Sequence, residues 1–135
     1  MKNFPSFFLA LALCFPIGSV SASSDSAWIY LNENDTHTYS ARKGSFEETE
    51  TRGGVPIVSM IVQTKEIKNN QIDFLQVYVT KQHCQKGVGS IVATDMNGDF
   101  VFEAPYVSKG ESVGSFIADF LCMVYQHNQD KGLSI

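Results

Sequence analysis

The chain has 135 residues, of which 44% are hydrophobic, and a formal net charge of −4 at pH 7. This length and hydrophobic content suit a single domain with one core. The acidic balance argues against nucleic acid and against anionic membrane surfaces as partners, because both carry negative charge.

Residues 1–22 are predicted to form a secretory signal peptide, which precedes a single globular domain at 23–135. Lys2 supplies the positive charge at the start, and an apolar stretch follows it. The segment from Val20 to Ala22 then offers the small residues that a signal peptidase needs. We therefore expect a protein that is periplasmic or secreted.

The alternative for the N-terminus is a membrane or lipid anchor. The apolar run is short and contains Pro5 and Pro16, so we expect no stable membrane insertion after cleavage. The segment from Leu11 to Cys14 is similar to a lipobox, although Leu13 stands where a small residue is expected. Lipidation of Cys14 would associate the protein with the cell surface, and the sequence leaves this alternative open.

Two cysteines, Cys84 and Cys122, remain once the signal peptide is removed. In an oxidising compartment an isolated pair of cysteines forms a disulfide by default. In the chain-entropy model, closing a loop of this length stabilises the fold by about 4 kcal/mol. A metal site is the alternative, because His83 and His127 lie near the cysteines, but no ligand spacing typical of zinc supports it.

Taken in chain order, the sequence predicts a meandering antiparallel sheet of about six strands. The segments with strand-like patterns lie at 27–31, 36–42, 45–52, 55–65, 71–81, 88–96 and 99–104. The polar segment 45–52 is expected to be a solvated edge, and Trp28 is expected to pack in the core. In 55–65, Val58 and Met60 lie on one face and Ile57 and Ile61 on the other, which predicts a central strand covered on both sides.

Turn signals separate the later strands. A turn at 68–70 joins the two longest strands in a hairpin, and Asn97-Gly98 favours a two-residue type I′ turn. Pro105 is expected to end the strand before it, because proline has no N–H for a sheet ladder. The segment 82–87 is expected to end the strand before it and to place Cys84 just past that strand.

The C-terminal part predicts one amphipathic helix across a face of the sheet. The segment from Ser108 to Glu111 has the spacing of a capping box, and Ser112 is a second candidate cap. The helix is expected to reach about Gln126, with a frayed tail from His127. Its apolar residues recur at the period of one helical face: Val113, Phe116, Ile117, Phe120, Leu121 and Val124. Cys122 lies at the flank of this stripe, and the whole pattern predicts a disulfide-stapled α+β fold.

Several of these features together resemble a known family. They are an early aromatic strand with Tyr39, the paired strands with Val55 to Val62, a strand that leads into Cys84, and a final helix with Ser112, Val113, Ile117, Ala118 and Cys122. In these features the chain resembles the bacterial surface-adhesin E family of small exported proteins. The resemblance implies an antiparallel sheet packed by a helix and, for the named member, binding to host extracellular proteins. The chain lacks a good lipobox and a long basic segment after the first cysteine, so no binding residues are carried over.

No catalytic, cofactor-binding or metal site is predicted from the sequence motifs. The segment from Asp95 to Asp99 opens like a calcium loop, but Phe100 stands where such a loop needs glycine, and a hairpin turn explains it. The carboxylates of Asp73, Glu103 and Asp119 are expected to be solvated. An enzyme would require two carboxylates, or a histidine and a carboxylate, to converge in a pocket.

The sequence therefore predicts an exported, non-enzymatic protein-binding module of the bacterial periplasm or cell surface. Its protein partner would be a host extracellular protein, as for an adhesin, or a bacterial toxin or cell-wall hydrolase. In the second case the chain would be a periplasmic immunity or inhibitor protein. The acidic character favours that second case, because complementary charge accelerates the capture of a basic enzyme. A small hydrolase is a third alternative, and no cofactor is expected.

Overall fold

The computed structural model describes residues 26–131, and the predicted signal peptide and Cys14 lie outside these residues. The described residues form seven strands and two helices. In chain order they are β1 (Trp28–Glu33), β2 (His37–Arg42), β3 (Glu47–Glu50), β4 (Pro56–Glu66), β5 (Ile72–Thr80), α1 (Lys81–Lys86), β6 (Val88–Thr94), β7 (Phe100–Val107) and α2 (Val113–Asp130). The predicted α+β fold, an antiparallel sheet with a C-terminal helix packed on it, is confirmed.

The strands are ordered β1-β2-β4-β5-β6-β7, and β3 pairs with β4 beside β2. Because β5 occupies one edge of β4 along most of its length, β2 and β3 share the other edge. Between them, the Ser45 hydroxyl oxygen accepts a hydrogen bond from the Ile61 N–H at 2.9 Å. The chain departs from the sheet between β2 and β3, and this hydrogen bond pairs the Ile61 N–H that would otherwise have no partner there.

The core lies between the sheet and α2. We call the face of the sheet that carries α2 the front face and the opposite one the back face. On the front face of β4, Val58, Met60 and Val62 are buried against a core that includes Ile117 and Leu121 of α2. Burial of one such aliphatic side chain stabilises a fold by about 1.5–3 kcal/mol, so this alternation holds the helix on the sheet.

The back face of β4 is covered over part of its length. Ile57 and Ser59 are buried there, whereas Ile61 is half-buried. Their direct neighbours on β5 are Thr80 and Tyr78. The prediction of a central strand covered on both faces is confirmed in the N-terminal half of β4.

Helix α2 begins at the second of the two predicted caps and ends later than the sequence predicts. Its N-cap is Ser112, whose hydroxyl accepts a hydrogen bond from the Ser115 N–H at 3.1 Å, and the helix extends to Asp130. The predicted capping box at Ser108 is wrong because the chain turns there, with a positive φ of 63° at Lys109 that no helix allows. On the predicted apolar stripe, Phe116 is exposed rather than buried.

Two predicted strand ends are also wrong. Asp95 O accepts a hydrogen bond from Gly98 N–H at 3.0 Å, and positive φ occurs at Gly98 but not at Asn97. This is a three-residue loop rather than a type I′ turn. Strand β7 continues through Pro105 because it lies at the edge of the sheet. Val107, two residues on, directs its N–H away from β6 to Ser115, so proline at 105 removes only an outward donor.

The segment after β5, where the sequence predicts only the end of the strand, is the short helix α1. The Thr80 hydroxyl caps its N-terminus by accepting the His83 N–H at 3.0 Å, and Gly87 ends it with a φ of 78°. Cys84 lies in this helix and forms the predicted disulfide with Cys122, with a Cα–Cα distance of 5.3 Å. The disulfide therefore joins α1 to α2. Since the sulfur atoms are bonded to each other, they are not available as thiolate ligands.

Alanine substitutions at two buried serines are expected to change the free energy of unfolding in opposite directions. Ser59 Oγ has no hydrogen-bond partner among the described residues, whereas Ser115 Oγ accepts the Val107 N–H at 3.0 Å. Ser59→Ala is expected to raise the free energy of unfolding by about 1 kcal/mol, because it removes an unpaired buried hydroxyl. Ser115→Ala is expected to lower the free energy of unfolding by about 2 kcal/mol, because it leaves the Val107 N–H without an acceptor. Urea denaturation measures both changes, and shifts of the same sign would contradict the assignment.

Candidate functional site

A cleft on the front face remains open where α2 does not cover the sheet. Its inner part lies between the first turns of α2 and the sheet and has a volume of about 180 Å³. Its mouth, with a volume of about 390 Å³, lies farther along the sheet and is more open. The two parts share Tyr39, Leu75 and Phe102 in their walls, so they form one continuous cleft.

The inner part of the cleft is almost entirely apolar. Its wall includes Val62 and Ile91 from the sheet and Val113 and Ile117 from α2. Gly114 also faces it, and a methyl group there would lie 3.3 Å from Ala104 Cβ. The absence of a side chain at position 114 therefore helps to keep this space open.

The mouth of the cleft carries the polar groups. His37 of β2, Asp73 of β5 and Asp95 of the β6–β7 hairpin all line it. Asp95 Oδ1 accepts hydrogen bonds from the N–H groups of Asn97 and Asp99 at 2.8 and 2.9 Å, which fixes the carboxylate at the hairpin. The mouth therefore combines two carboxylates with one histidine.

These three side chains do not form an ion pair. Within residues 26–131 the single salt bridge joins Lys81 Nζ to Glu48 Oε1 at 2.8 Å, away from the cleft. The His37 Nδ1 atom instead lies 2.8 Å from the Thr36 hydroxyl. In the same part of the chain, no group of three or more His, Cys, Asp or Glu side chains is placed to hold a metal ion. The mouth is lined by two carboxylates and a histidine that do not form a coupled acid–base pair.

The carboxylate of Asp119 is not the solvated group that the sequence predicts. Asp119 Oδ1 accepts a hydrogen bond from the buried Tyr106 hydroxyl at 2.9 Å, and Oδ2 accepts the Lys109 N–H at 2.7 Å. The carboxylate thus ties α2 to β7 and to the turn that precedes the helix. Glu103 is exposed on β7, as expected.

The Tyr106–Asp119 contact predicts a pH effect. Burial and the nearby carboxylate raise the pKa of Tyr106 above its usual value of 10.0. A raised pKa in the folded state means that the stabilisation is complete below about pH 10 and is lost as the pH rises through the folded-state value. Tyr106→Phe should lower the free energy of unfolding at pH 7 by about 1.5 kcal/mol, because a hydrogen bond to a carboxylate is lost.

The same variant should show a shallower loss of stability than the wild type above pH 10. Glu33 raises the pKa of Tyr30 and Glu48 raises that of Lys81, so both proteins retain a residual alkaline decline. Urea denaturation at pH 7 and at several values above pH 10 measures the difference. Parallel curves for wild type and Tyr106→Phe would contradict the role of Tyr106.

The back face carries an exposed aromatic patch, formed by Trp28, Tyr30 and Phe74. Trp28 on β1 is half-buried, and its ring stacks on that of Phe74 on β5 with centroids 5.8 Å apart. Tyr30 and Phe74 are 59% and 45% exposed. The two rings reach toward each other over the intervening strands β2 and β4. Trp28 therefore packs on the back face and not in the core between sheet and helix, where the sequence suggested it.

Sequence reasoning found the disulfide but missed the cleft. Cys84 and Cys122 are brought together as predicted, whereas His37 and Asp95 were not singled out as a pair. Strand alternation places His37 and Tyr39 on one face of β2, and this signal was available. Their proximity to Asp73 depends on the register of β2 and β5 against β4, which is a long-range property.

Comparisons with known proteins do not assign the chain to a group. Scans of family models, curated proteins and solved structures each found no match. The resemblance to the surface-adhesin E family stays a prediction. Among the described residues, no helix has the length and apolar character needed to cross a membrane. The disulfide is typical of an oxidising compartment.

Proposed function

We propose that the protein is an exported, non-enzymatic protein-binding module of the bacterial periplasm or cell surface, with a role similar to that of surface adhesin E. The observation that carries this proposal is the aromatic patch of Trp28, Tyr30 and Phe74 on the back face. Its partner is a host extracellular protein in the adhesin form of the proposal.

The aromatic patch has the composition of a protein-binding surface. Tyrosine and tryptophan are enriched at the centres of interfaces, because they bury a large area and lose few rotamers on binding. Here the aromatic rings stand on strands β1 and β5, whose backbones are held by the sheet. An exposed apolar patch on a sheet also marks an interaction site more often than scattered apolar residues do. These properties support binding of a protein through the back face.

Affinity capture tests the proposal. The oxidised protein, purified after export, serves as bait for host matrix proteins and, separately, for the secreted and periplasmic proteins of the producing bacterium. Stoichiometric retention of matrix proteins alone supports the adhesin form. Stoichiometric retention of one toxin or hydrolase from the producer supports the inhibitor form. Retention of neither would contradict a protein-binding role.

The inhibitor form is a second candidate because the chain is acidic. A net charge of −4 favours association with a basic enzyme, and electrostatic steering acts mainly on the association rate. If a toxin or hydrolase is captured, its association rate should fall steeply as the salt concentration rises. An association rate that is independent of salt would contradict electrostatic steering by the acidic chain.

A hydrolase is a third candidate, which depends on His37, Asp73 and Asp95 in the mouth of the cleft. In residues 26–131 no histidine nitrogen lies within 4.0 Å of a carboxylate oxygen, so neither group orients the other as in a catalytic pair. Assays on cell-wall material with wild type and the Asp73→Asn and Asp95→Asn variants test this candidate. Hydrolysis that both variants abolish would favour an enzyme and contradict the non-enzymatic proposal.

A further inference from the structure

We propose that the cleft on the front face binds a small organic cation that carries an apolar group about the size of one aromatic ring. The walls of the cleft come mainly from the front face of the sheet and from α2, and Phe74 of the aromatic patch also lines its mouth. The proposal uses the apolar cavity and the carboxylates, not the exposed rings of Trp28 and Tyr30, so its test is independent of the protein-binding function proposed above.

The inner part of the cleft fits an apolar ring. Its volume of about 180 Å³ exceeds the roughly 150 Å³ of an engineered protein cavity that binds benzene. The apolar walls include Leu75, Phe102 and Ile117. Gly114 has no side chain to fill the space between them. A ring placed there would exchange water for contacts with these side chains.

The mouth of the cleft fits a positive charge. Asp73 and Asp95 both line it, and the walls of the two parts contain no lysine or arginine. One oxygen of Asp95 is used by the hairpin, while Oδ2 has no hydrogen bond among the described residues. His37 is the one basic side chain in the wall. An ammonium group would therefore meet two carboxylates.

The shape of the cleft favours a small molecule over a second protein. Small-molecule sites have volumes of roughly 300–1,000 Å³, mostly apolar walls and a few polar groups at fixed positions. The inner part and mouth of this cleft, at about 180 and 390 Å³, follow that plan, with the polar groups at one end. A protein interface would instead need a broad surface of roughly 800 Å² on each partner.

Three probes that separate the ring from the charge test the proposal by titration of the ¹⁵N-labelled oxidised protein, followed by backbone amide chemical shifts. Phenethylamine has both ring and ammonium, 3-phenylpropanoate has the ring with a carboxylate, and ethylamine has the ammonium alone. Phenethylamine is expected to shift the amides of Leu75, Phe102 and Gly114 with a Kd of about 1 mM, as suits a ligand of few atoms. The other two probes should bind at least about tenfold more weakly.

Variants identify the groups that bind the probe. Asp73→Asn and Asp95→Asn should each weaken phenethylamine binding about fivefold, because each removes one partly exposed charge contact. Asp99→Asn is the matched control, since it removes the same charge from the same hairpin outside the cleft wall. Gly114→Ala should also weaken binding, and because its methyl would lie 3.3 Å from Ala104 Cβ, urea denaturation of this variant separates a loss of binding from a loss of stability.

Three results would overturn the proposal. The first is equal binding of phenethylamine and 3-phenylpropanoate, which would show that the carboxylates do not select charge. The second is a set of shifted amides confined to the back face or absent at millimolar probe. The third is an Asp99→Asn variant that weakens binding as much as Asp73→Asn and Asp95→Asn.

Discussion

Replacing both Cys84 and Cys122 by serine is expected to lower the free energy of unfolding by about 4 kcal/mol and the melting temperature by about 15 °C. The two residues are 38 positions apart, and their disulfide joins α1, at the end of β5, to the C-terminal helix. Without the bond, the unfolded chain regains the freedom of this long loop. Thermal denaturation of the purified variant under oxidising conditions measures the change.

Reduction of the wild type provides the matched control for the cysteine variant. A reducing agent should lower the melting temperature of the wild type to that of the double-serine variant and leave the variant unchanged. A double-serine variant that melts like the oxidised wild type would contradict a stabilising role for the disulfide.

Gly89→Ala is expected to be the most destabilising single substitution among the glycines of the described chain. A methyl group at position 89 would overlap the ring of His83, which lies directly over the glycine. The His83 ring is also held in place, because its Nδ1 atom accepts a hydrogen bond from the Ser90 N–H at 3.2 Å. Moving the ring would break this bond, so we expect a loss of about 3 kcal/mol.

A double-mutant cycle separates this clash from a general effect of glycine replacement. In a His83→Ala background, Gly89→Ala should cost less than in the wild type because the overlapping ring is gone, while the backbone strain of alanine at the φ of 155° is the same in both backgrounds. Gly53→Ala is the control, since a methyl there meets only Thr51 at 3.9 Å, and it should change stability by about 0.5 kcal/mol or less. Equal costs for Gly89→Ala in both backgrounds would contradict the account.

The parts of the fold that were predicted correctly come from hydrophobic patterns that repeat over a few residues of the sequence. The alternation of Val58, Met60 and Val62 and the helical stripe with Ile117 and Leu121 are local patterns, and each gives the buried face of its element directly. The disulfide was predictable because Cys14 lies in the predicted signal peptide, which leaves Cys84 and Cys122 as a pair. These patterns were sufficient for an antiparallel sheet with one helix.

The errors come from features that local patterns do not determine. Pro105 fits within β7 only because β7 is an edge strand, and this depends on the order of the whole sheet. The start of α2 was ambiguous because two serines, Ser108 and Ser112, both offer a cap, and the turn at Lys109 decides between them. Helix α1 spans six residues, which is too short to show a helical period.

The cleft was not predictable for the same reason. His37, Asp73 and Asp95 are far apart in the sequence and meet through the pairing of β2, β4 and β5 and through the β6–β7 hairpin. The aromatic patch also depends on pairing, because Trp28 and Phe74 stack across two intervening strands. Both surfaces are products of strand register.

The most direct test of the protein-binding proposal compares capture by the wild type with capture by two matched variants. The Tyr30→Ser variant alters the aromatic patch without touching the cleft wall, whereas Met123→Ser alters a side chain on α2 that is 59% exposed, as Tyr30 is. We predict stoichiometric capture of a partner by the wild type and by Met123→Ser, and at least a tenfold weaker affinity for the patch variant, or about 1.4 kcal/mol. Capture that the patch variant retains in full would contradict binding through the back face.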